Sequence, residues 1–456
     1  MNPFIQLRGA CYLLVLVGVS AIPFALAQRN APSQRLAKPA TTIVVTNTND
    51  SGPGSLRDAL ASANDGDTID ATGVSGTILL TSGELQINHN LTITGPGAAN
   101  LAINGNATFR VFENFASNVT ISGLTITNGF TTDGIYGGGG ILNHAGLTFS
   151  SSSIVSNVGG AYGGGISSSG GEALTVTNSL ISGNSSGING GGIALSGGGT
   201  LTMTNSVISG NNSGAGGGIH ADGVIVTVSN STINGNVAGC NDGGGIAITD
   251  NARLTVTNTT ISNNVANDNF GGCFDQAAYG GGIAIEGGGA LTVTNSTISG
   301  NIVAAAMGDG GGVYGGMGTL TVTNSTISDS SAPGSGGSIW NGALANIGDT
   351  ILSAGASGGT IFNSGAITSL GYNLASDNGG GVLTGPGDQI NTNPMLGPLQ
   401  NNGGPTFTHA LLPDSPAINA GNPSFTPPPR YDQRGPGFRR VVHGRIDIGS
   451  FEVQRR

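Results

Sequence analysis

This chain carries little charge: 14 Lys+Arg and 24 Asp+Glu in 456 residues, or 8%, where an ordinary globular domain has ~25%. The solvated surface must therefore be made of Ser, Thr, Asn and Gly. Positive charge is the scarcer sign, and a net charge of -10 excludes nucleic acid or an anionic membrane as a partner for the whole chain. Disorder is excluded as well, because hydrophobic residues still make up 37% and disordered chains pair low hydrophobicity with high charge. No Gly-X-Y period is sustained, which excludes collagen. Beyond residue 27 no apolar run approaches the ~18 residues of a membrane-spanning helix. Aromatics are sparse at 5%, with one Trp, and cysteines number three. What is abundant is glycine, 84 residues, so the backbone turns sharply and often.

Residues 1–27 combine Arg8, an apolar stretch from Ala10 to Leu26 and the small-residue site Ala25-Leu26-Ala27, the pattern of an export signal cleaved near Ala27. Residues 28–42 read as a linker. The mature chain is expected to be secreted or held at a bacterial cell surface, without a transmembrane segment. In that compartment a disulfide between Cys240 and Cys273 can persist. Both cysteines lie in loops before a glycine triplet, in neighbouring coils about 4.8 Å apart.

One unit recurs: Leu174-Thr-Val-Thr-Asn178, Leu201-Thr-Met-Thr-Asn205, Val226-Thr-Val-Ser-Asn230, Leu254-Thr-Val-Thr-Asn258, Leu291-Thr-Val-Thr-Asn295 and Leu320-Thr-Val-Thr-Asn324. Repeats of this length are stacked supersecondary units. A second marker, three glycines and a β-branched residue, ends at Ile141, Ile166, Ile193, Ile219, Ile246, Ile283 and Val313. Apolar residues alternate with threonine at period two, so each segment is a strand burying one face. Three short strands per turn, with bends of Asn and Gly between them, predict an all-β parallel β-helix of roughly 12 to 13 coils. The Asn ending each first strand, Asn178, Asn205, Asn230, Asn258, Asn295 and Asn324, falls at one coil position and is expected to form a buried amide ladder. The segment from Ser55 to Ala63 is the one convincing helix, placed to plug the amino-terminal end. The expected layout is a cap with first coils over 43–115, repeats over 116–390, and a separate Pro- and Arg-rich closing module over 391–456.

Gly-Gly-Gly-Ile paired with Ile181-Ser-Gly-Asn184, Ile208-Ser-Gly-Asn211 and Ile298-Ser-Gly-Asn301 resembles the repeats of the polymorphic outer-membrane protein family. The stretch from Val45 through Ser55-Leu-Arg-Asp-Ala59 is similar to the CSLREA-type amino-terminal region of exported bacterial β-helix proteins. Asp432-Gln-Arg-Gly435 and Asp447-Ile-Gly-Ser-Phe-Glu452 are similar to their choice-of-anchor Q ending. The resemblance implies a right-handed, pectin-lyase-like β-helix at the cell surface or in the medium, without specifying catalytic residues.

Enzyme chemistry is the competing expectation, as a polysaccharide hydrolase or lyase on the same scaffold. A uronate lyase needs cations to abstract a proton and hold substrate carboxylates, yet from Ala116 to Gly365 the one basic residue is Arg253. A hydrolase needs two carboxylates, for which Asp242 and Asp309, each four residues before the end of a glycine triplet, are the candidates. Calcium at these turns is the only cofactor the pattern suggests; no zinc grouping of histidines occurs. Arg434 is expected to pair with Asp447 or Glu452.

The residue after each triplet strand's first position faces outward and reads Leu142, Ser167, Ala194, His220, Ala247, Ala284, Tyr314, Trp340 and Phe362. The three aromatics are expected either to lie under the folded-back terminal module or to form a platform for sugar rings. The function expected is thus binding or spacing at the cell surface, adhesin-like, with a glycan as the first ligand class.

Overall fold

The computed structural model describes residues 39–240, 242–268 and 277–454. Each coil contributes one strand to each of three long sheets, of 13, 12 and 11 strands, and the pairs between successive coils are parallel throughout. The chain is a right-handed β-solenoid. A representative coil runs through Ala173–Thr177 in the first sheet, Leu180–Ser182 in the second and Ile193–Leu195 in the third. Leu174 lies beside Leu201 and Val176 beside Met203, so identical faces repeat up the stack. Ile154, Ile181, Ile208, Ile233, Ile261, Ile298 and Ile327 form one fully buried column.

The amide ladder lies one bend further along than the repeat pattern suggests. Asn178, Asn205, Asn230, Asn258, Asn295 and Asn324 all adopt positive φ, 49 to 53°. They end the first strand in the left-handed conformation that Asn tolerates better than most residues. That geometry turns Asn178 and Asn205 outward into solvent, and only Asn230, Asn258 and Asn295 link to one another, at 3.1 and 2.7 Å. The continuous ladder is made by Asn157, Asn184, Asn211, Asn236, Asn264 and Asn301, each at most 1% exposed. The backbone N–H and the side-chain amide of Asn184 both donate to Asn211 Oδ1, at 3.0 and 2.9 Å, and its amide also donates to the Ile154 carbonyl at 3.0 Å. The same set recurs at Asn211, Asn236 and Asn264. A hydroxyl ladder runs beside it: Ser152, Ser179 and Ser206 each donate a backbone N–H to the next coil's Ser hydroxyl, at 3.1 to 3.3 Å.

Glycine triplets serve the bend that enters the third sheet. Gly243 opens one with φ 71°, and a Cβ on Gly245 would stand 2.6 Å from the Gly282 carbonyl oxygen of the next coil. The coils approach too closely there for any side chain.

At the amino-terminal end the helix Leu56–Ser62, capped by Ser55, buries Leu56, Ala59 and Leu60 in the core. Leu383 and Val382 meet the core at the other end. The terminal segment lies along the side of the stack. Its antiparallel hairpin, Leu396–Gln400 with Thr408–Leu411, and the Gln433 and Ser450 regions bond to outward residues of the second sheet. Thr260 Oγ1 donates to the Phe407 carbonyl at 2.6 Å, Thr297 Oγ1 to Gln433 Oε1 at 2.6 Å, and Ser299 Oγ meets His409 Nε2 at 2.9 Å. Burial records the cover: Leu180-Ile-Ser182 buries only its middle residue, whereas Thr260-Ile-Ser262, Thr297-Ile-Ser299 and Thr326-Ile-Ser328 bury all three. The aromatic column lies on the third sheet, so the module does not fold over it. Arg434 pairs with Asp432 at 2.6 Å instead of Asp447 or Glu452, sandwiched 3.9 and 3.7 Å from the rings of Phe438 and Phe451.

Asn211→Ala strips the acceptor from two Asn184 donors, each buried unsatisfied group costing about 1–3 kcal/mol. A denaturant titration is expected to show a loss of that size or more, while Asn205→Gly, at an exposed left-handed position, stays near the parent.

In the terminal segment burial, then the neighbouring Asp447 charge, push Glu452 up from 4.5 to about 9. The native chain therefore holds a proton that the unfolded chain releases, and stability falls as pH rises between those values. Glu452→Gln should flatten that part of the pH–stability curve measured by thermal unfolding.

Candidate functional site: a groove along the third sheet

The strand register aligns Gln86, Glu113, Leu142, Ser167, Ala194, His220, Ala247, Ala284, Tyr314, Trp340 and Phe362 in one outward column. Two residues further along each strand the side chain points the same way again, giving a parallel column with Ser169, Ser196, Asp222, Thr249 and Glu286. The middle of the first column is small, and the bends before each strand rise beside it. A groove results. Two cavities lie in it: one of about 300 Å³ against Tyr136, Tyr162, Ser167, Ala194, His220 and Asp222, and one of about 290 Å³ against Asn189, His220, Asp242, Ala247, Thr249 and Glu286. His220 and Asn189 line both, so the cavities adjoin at these side chains.

His220 is 8% exposed, and its ring makes no hydrogen bond among the described residues. Burial pushes its pKa down to about 4 against the opposing pull of Asp222, so the ring is neutral at physiological pH. Asp222 accepts from Thr249 Oγ1 at 3.0 Å. Asp242 accepts the backbone N–H of Tyr279 at 3.0 Å, and its carboxyl lines the same cavity as that of Glu286. Burial first, and Glu286 second, hold Asp242 well above the usual carboxylate range. Two carboxyl groups so placed share a proton because both cannot ionise cheaply.

Asp242 and Asp309 occupy equivalent bends two coils apart, the separation the repeat spacing gives. Tyr279 lies between them, beside Asp309 in the strand register, and Asp309 Oδ1 accepts the Ser335 N–H at 2.6 Å. The residue that joins Asp242 is Glu286, which the repeat comparison misses because it sits in the second outward column. Extending the alignment two residues past each outward position would have shown Asp222 and Glu286 in one file.

The aromatics form a longer stack than expected: Tyr279 and Tyr314 at 4.6 Å, Tyr314 and Trp340 at 4.6 Å, Trp340 and Phe362 at 5.9 Å, all within 23° of parallel. Gly316 and Gly342 leave room for the rings, since a Cβ on either would come within 2.7 Å of Tyr314 or Trp340. Stacking covers the ring faces with one another. Tyr314 and Trp340 therefore present edges, which a sugar ring cannot stack upon, and the platform expectation for them fails on geometry. Phe362, 41% exposed, ends the stack. Burial, and then the neighbouring Tyr279, Glu286, Asp242 and Asp309, raise the Tyr314 pKa and keep its phenol protonated.

A second charged cluster stands at the amino-terminal end of the same face. Arg110 pairs with Glu84 at 2.9 Å and donates to the carbonyls of Gly138 and Gly137 at 3.0 and 2.9 Å. Glu113 meets His144 at 3.1 Å, and His144 stacks on Phe115 at 4.9 Å. Arg110 is thereby committed, and Arg and Lys are absent from the linings of both cavities. Among the described residues the groove's lining thus holds one imidazole, His220, and no guanidinium or ammonium. Among the described residues no three His, Cys, Asp or Glu converge on a metal-sized point. Cys273 lies outside the described residues, as does the amino-terminal leader.

The largest cavity, about 960 Å³, lies where the terminal hairpin overhangs the second sheet, against Leu396, Pro398, Leu399 and Phe407. Its His409 is engaged on both ring nitrogens, with Ser299 at 2.9 Å and the Gly397 carbonyl at 2.7 Å. This is a packing seam, and the groove offers the unengaged polar groups.

Residues 110–281 match the family model for a right-handed beta helix region. No curated protein matches the chain. A solved structure, the crystal structure of pectate lyase Pel9A, aligns over 91% of this chain and 96% of that one, with 15% identity and a TM-score of 0.49. Together the sheets define a right-handed parallel β-helix, and Asp222, Asp242 and Glu286 line a groove on one face.

Trp340→Ala removes the centre of the aromatic stack. The expected loss is about 1–3 kcal/mol in thermal or denaturant unfolding, with the tail's resistance to limited proteolysis unchanged because the terminal module packs elsewhere.

Proposed function

We propose that this protein is exported and binds an extended glycan along the third sheet. The observation that carries this reading is the pair of adjoining cavities, floored by small residues, where His220 lines both beside carboxyl and hydroxyl groups. Pockets that take polar ligands combine such a shaped floor with a few convergent hydrogen-bonding groups. A chain ligand lying along the stack axis would meet a new coil every ~4.8 Å. Export and surface attachment rest on the leader at residues 1–27 and the resemblance of the chain ends; a Cys240–Cys273 disulfide belongs to the same proposal, and two free thiols in the denatured, unreduced mature chain would contradict it.

The test is calorimetry against a panel of neutral and polyuronate oligosaccharides. Neutral chains should bind and polyuronates should not, because the groove lacks cations. Ala194→Trp and Ala247→Trp point into the groove and should abolish binding without lowering the melting temperature. Binding that survives both substitutions would refute the location.

Hydrolysis is the second reading, favoured by the proton held on Asp242, the state a general acid requires. New reducing ends from a bound oligosaccharide, lost in Asp242→Asn, would support it.

A further inference from the structure

We infer that the pocket around Asp242, Glu286 and His220 recognises a protonated amine, so that the glycan it accepts carries free amino groups. This deepens the glycan-binding reading and rests on it. The pocket, about 290 Å³, is at the lower end of the range of small-molecule sites, ~300–1,000 Å³.

Asp242 and Glu286 line one cavity, Glu286 helping burial to raise the Asp242 carboxyl's pKa, and Asp222 is held on the same face, beside the adjoining cavity, by Thr249 at 3.0 Å. Asp309 lies one register position from Tyr279, whose backbone N–H holds Asp242. The titratable groups facing the carboxyl pair are therefore Asp222 and His220 from one side, Tyr279 and Asp309 from the adjoining bends, and Tyr314 from the next strand. No Arg or Lys lines the pocket. A neutral sugar would leave the acids without a counter-charge, a uronate would add to the repulsion, and an ammonium would supply the missing cation.

The second observation is independent of the acids. His220 is 8% exposed, opens onto both cavities and makes no hydrogen bond among the described residues. The His220 ring nitrogens are not among the fully buried unpaired atoms, so they open onto the cavities, where a ligand or water can complete them. Neutral imidazole presents one acceptor and one donor, which suits an adjacent sugar hydroxyl while the amine sits against the carboxyl pair. N–H bonds of an ammonium can be given to Asp242 and Glu286, which line the same cavity.

Binding of the ammonium takes the place of the shared proton, which leaves the carboxyl pair for the buffer. Affinity should consequently rise with pH until the amine itself deprotonates, then fall.

The experiment is calorimetry on the intact mature protein with a β-1,4-linked glucosamine hexamer and its fully N-acetylated counterpart, which share a backbone and differ in charge. The glucosamine hexamer is expected to bind at least about tenfold more tightly, with proton release visible as a dependence of the heat on buffer ionisation enthalpy. The double variant Asp242→Asn/Glu286→Gln should reduce that ratio to near one while retaining binding of the N-acetylated hexamer. Glu172→Gln, at an exposed acid outside the groove, should leave the ratio intact, which separates the pocket from general attraction to a chain of net charge -10. Equal affinity for the two hexamers, or a preference that survives the double variant, overturns the inference and leaves the groove reading standing. Failure of both hexamers to bind overturns the inference and the groove reading together.

Discussion

The structure depends on satisfying the inside of a bend. Where the chain passes from the second sheet into the third, backbone groups turn inward with no strand opposite them, and an unpaired polar group there costs about 1–3 kcal/mol. The amide file from Asn157 to Asn301 resolves this by letting each side chain accept from the coil before it and donate to a carbonyl of that coil. One residue type in one rotamer satisfies the bend, provided adjacent coils stay in register. The register then propagates to all three sheets, and with it the outward columns that make the groove.

The bend also explains the composition. Closeness of the coils at Gly245, where a Cβ would lie 2.6 Å from a neighbouring carbonyl, demands glycine. The left-handed exit from the first sheet favours asparagine, and strands that bury one face want β-branched residues on both. Little room remains for charge in such a coil, which makes the clustering of Asp222, Asp242 and Glu286 on one face notable. These side chains line the groove together with a neutral histidine, His220.

Period-two alternation in Leu174-Thr-Val-Thr made the first sheet legible, the glycine triplets marked the third, and Ser55 announced its helix three residues before Asp58 donates to it. The outward column from Leu142 to Phe362 was legible for the same reason, since strict register is a property of the repeat. The buried ladder was not, because two asparagines recur in every unit and periodicity cannot distinguish a left-handed exit from a buried amide. Glu286 was hidden because the function of an outward position depends on what the neighbouring bend brings over it. The terminal segment's seat on the second sheet rests on contacts such as Thr297 with Gln433, far apart in the chain and without any repeat to reveal them.

The central claim is that the third-sheet groove is a ligand site, built around His220. Its most direct test is a crystal structure of the protein soaked with an amino-sugar oligomer. The account predicts electron density along the groove, with a hydroxyl on a His220 ring nitrogen and an amine against Asp242 and Glu286. Density seated instead in the seam beneath the terminal hairpin, with the groove holding only solvent, would contradict it.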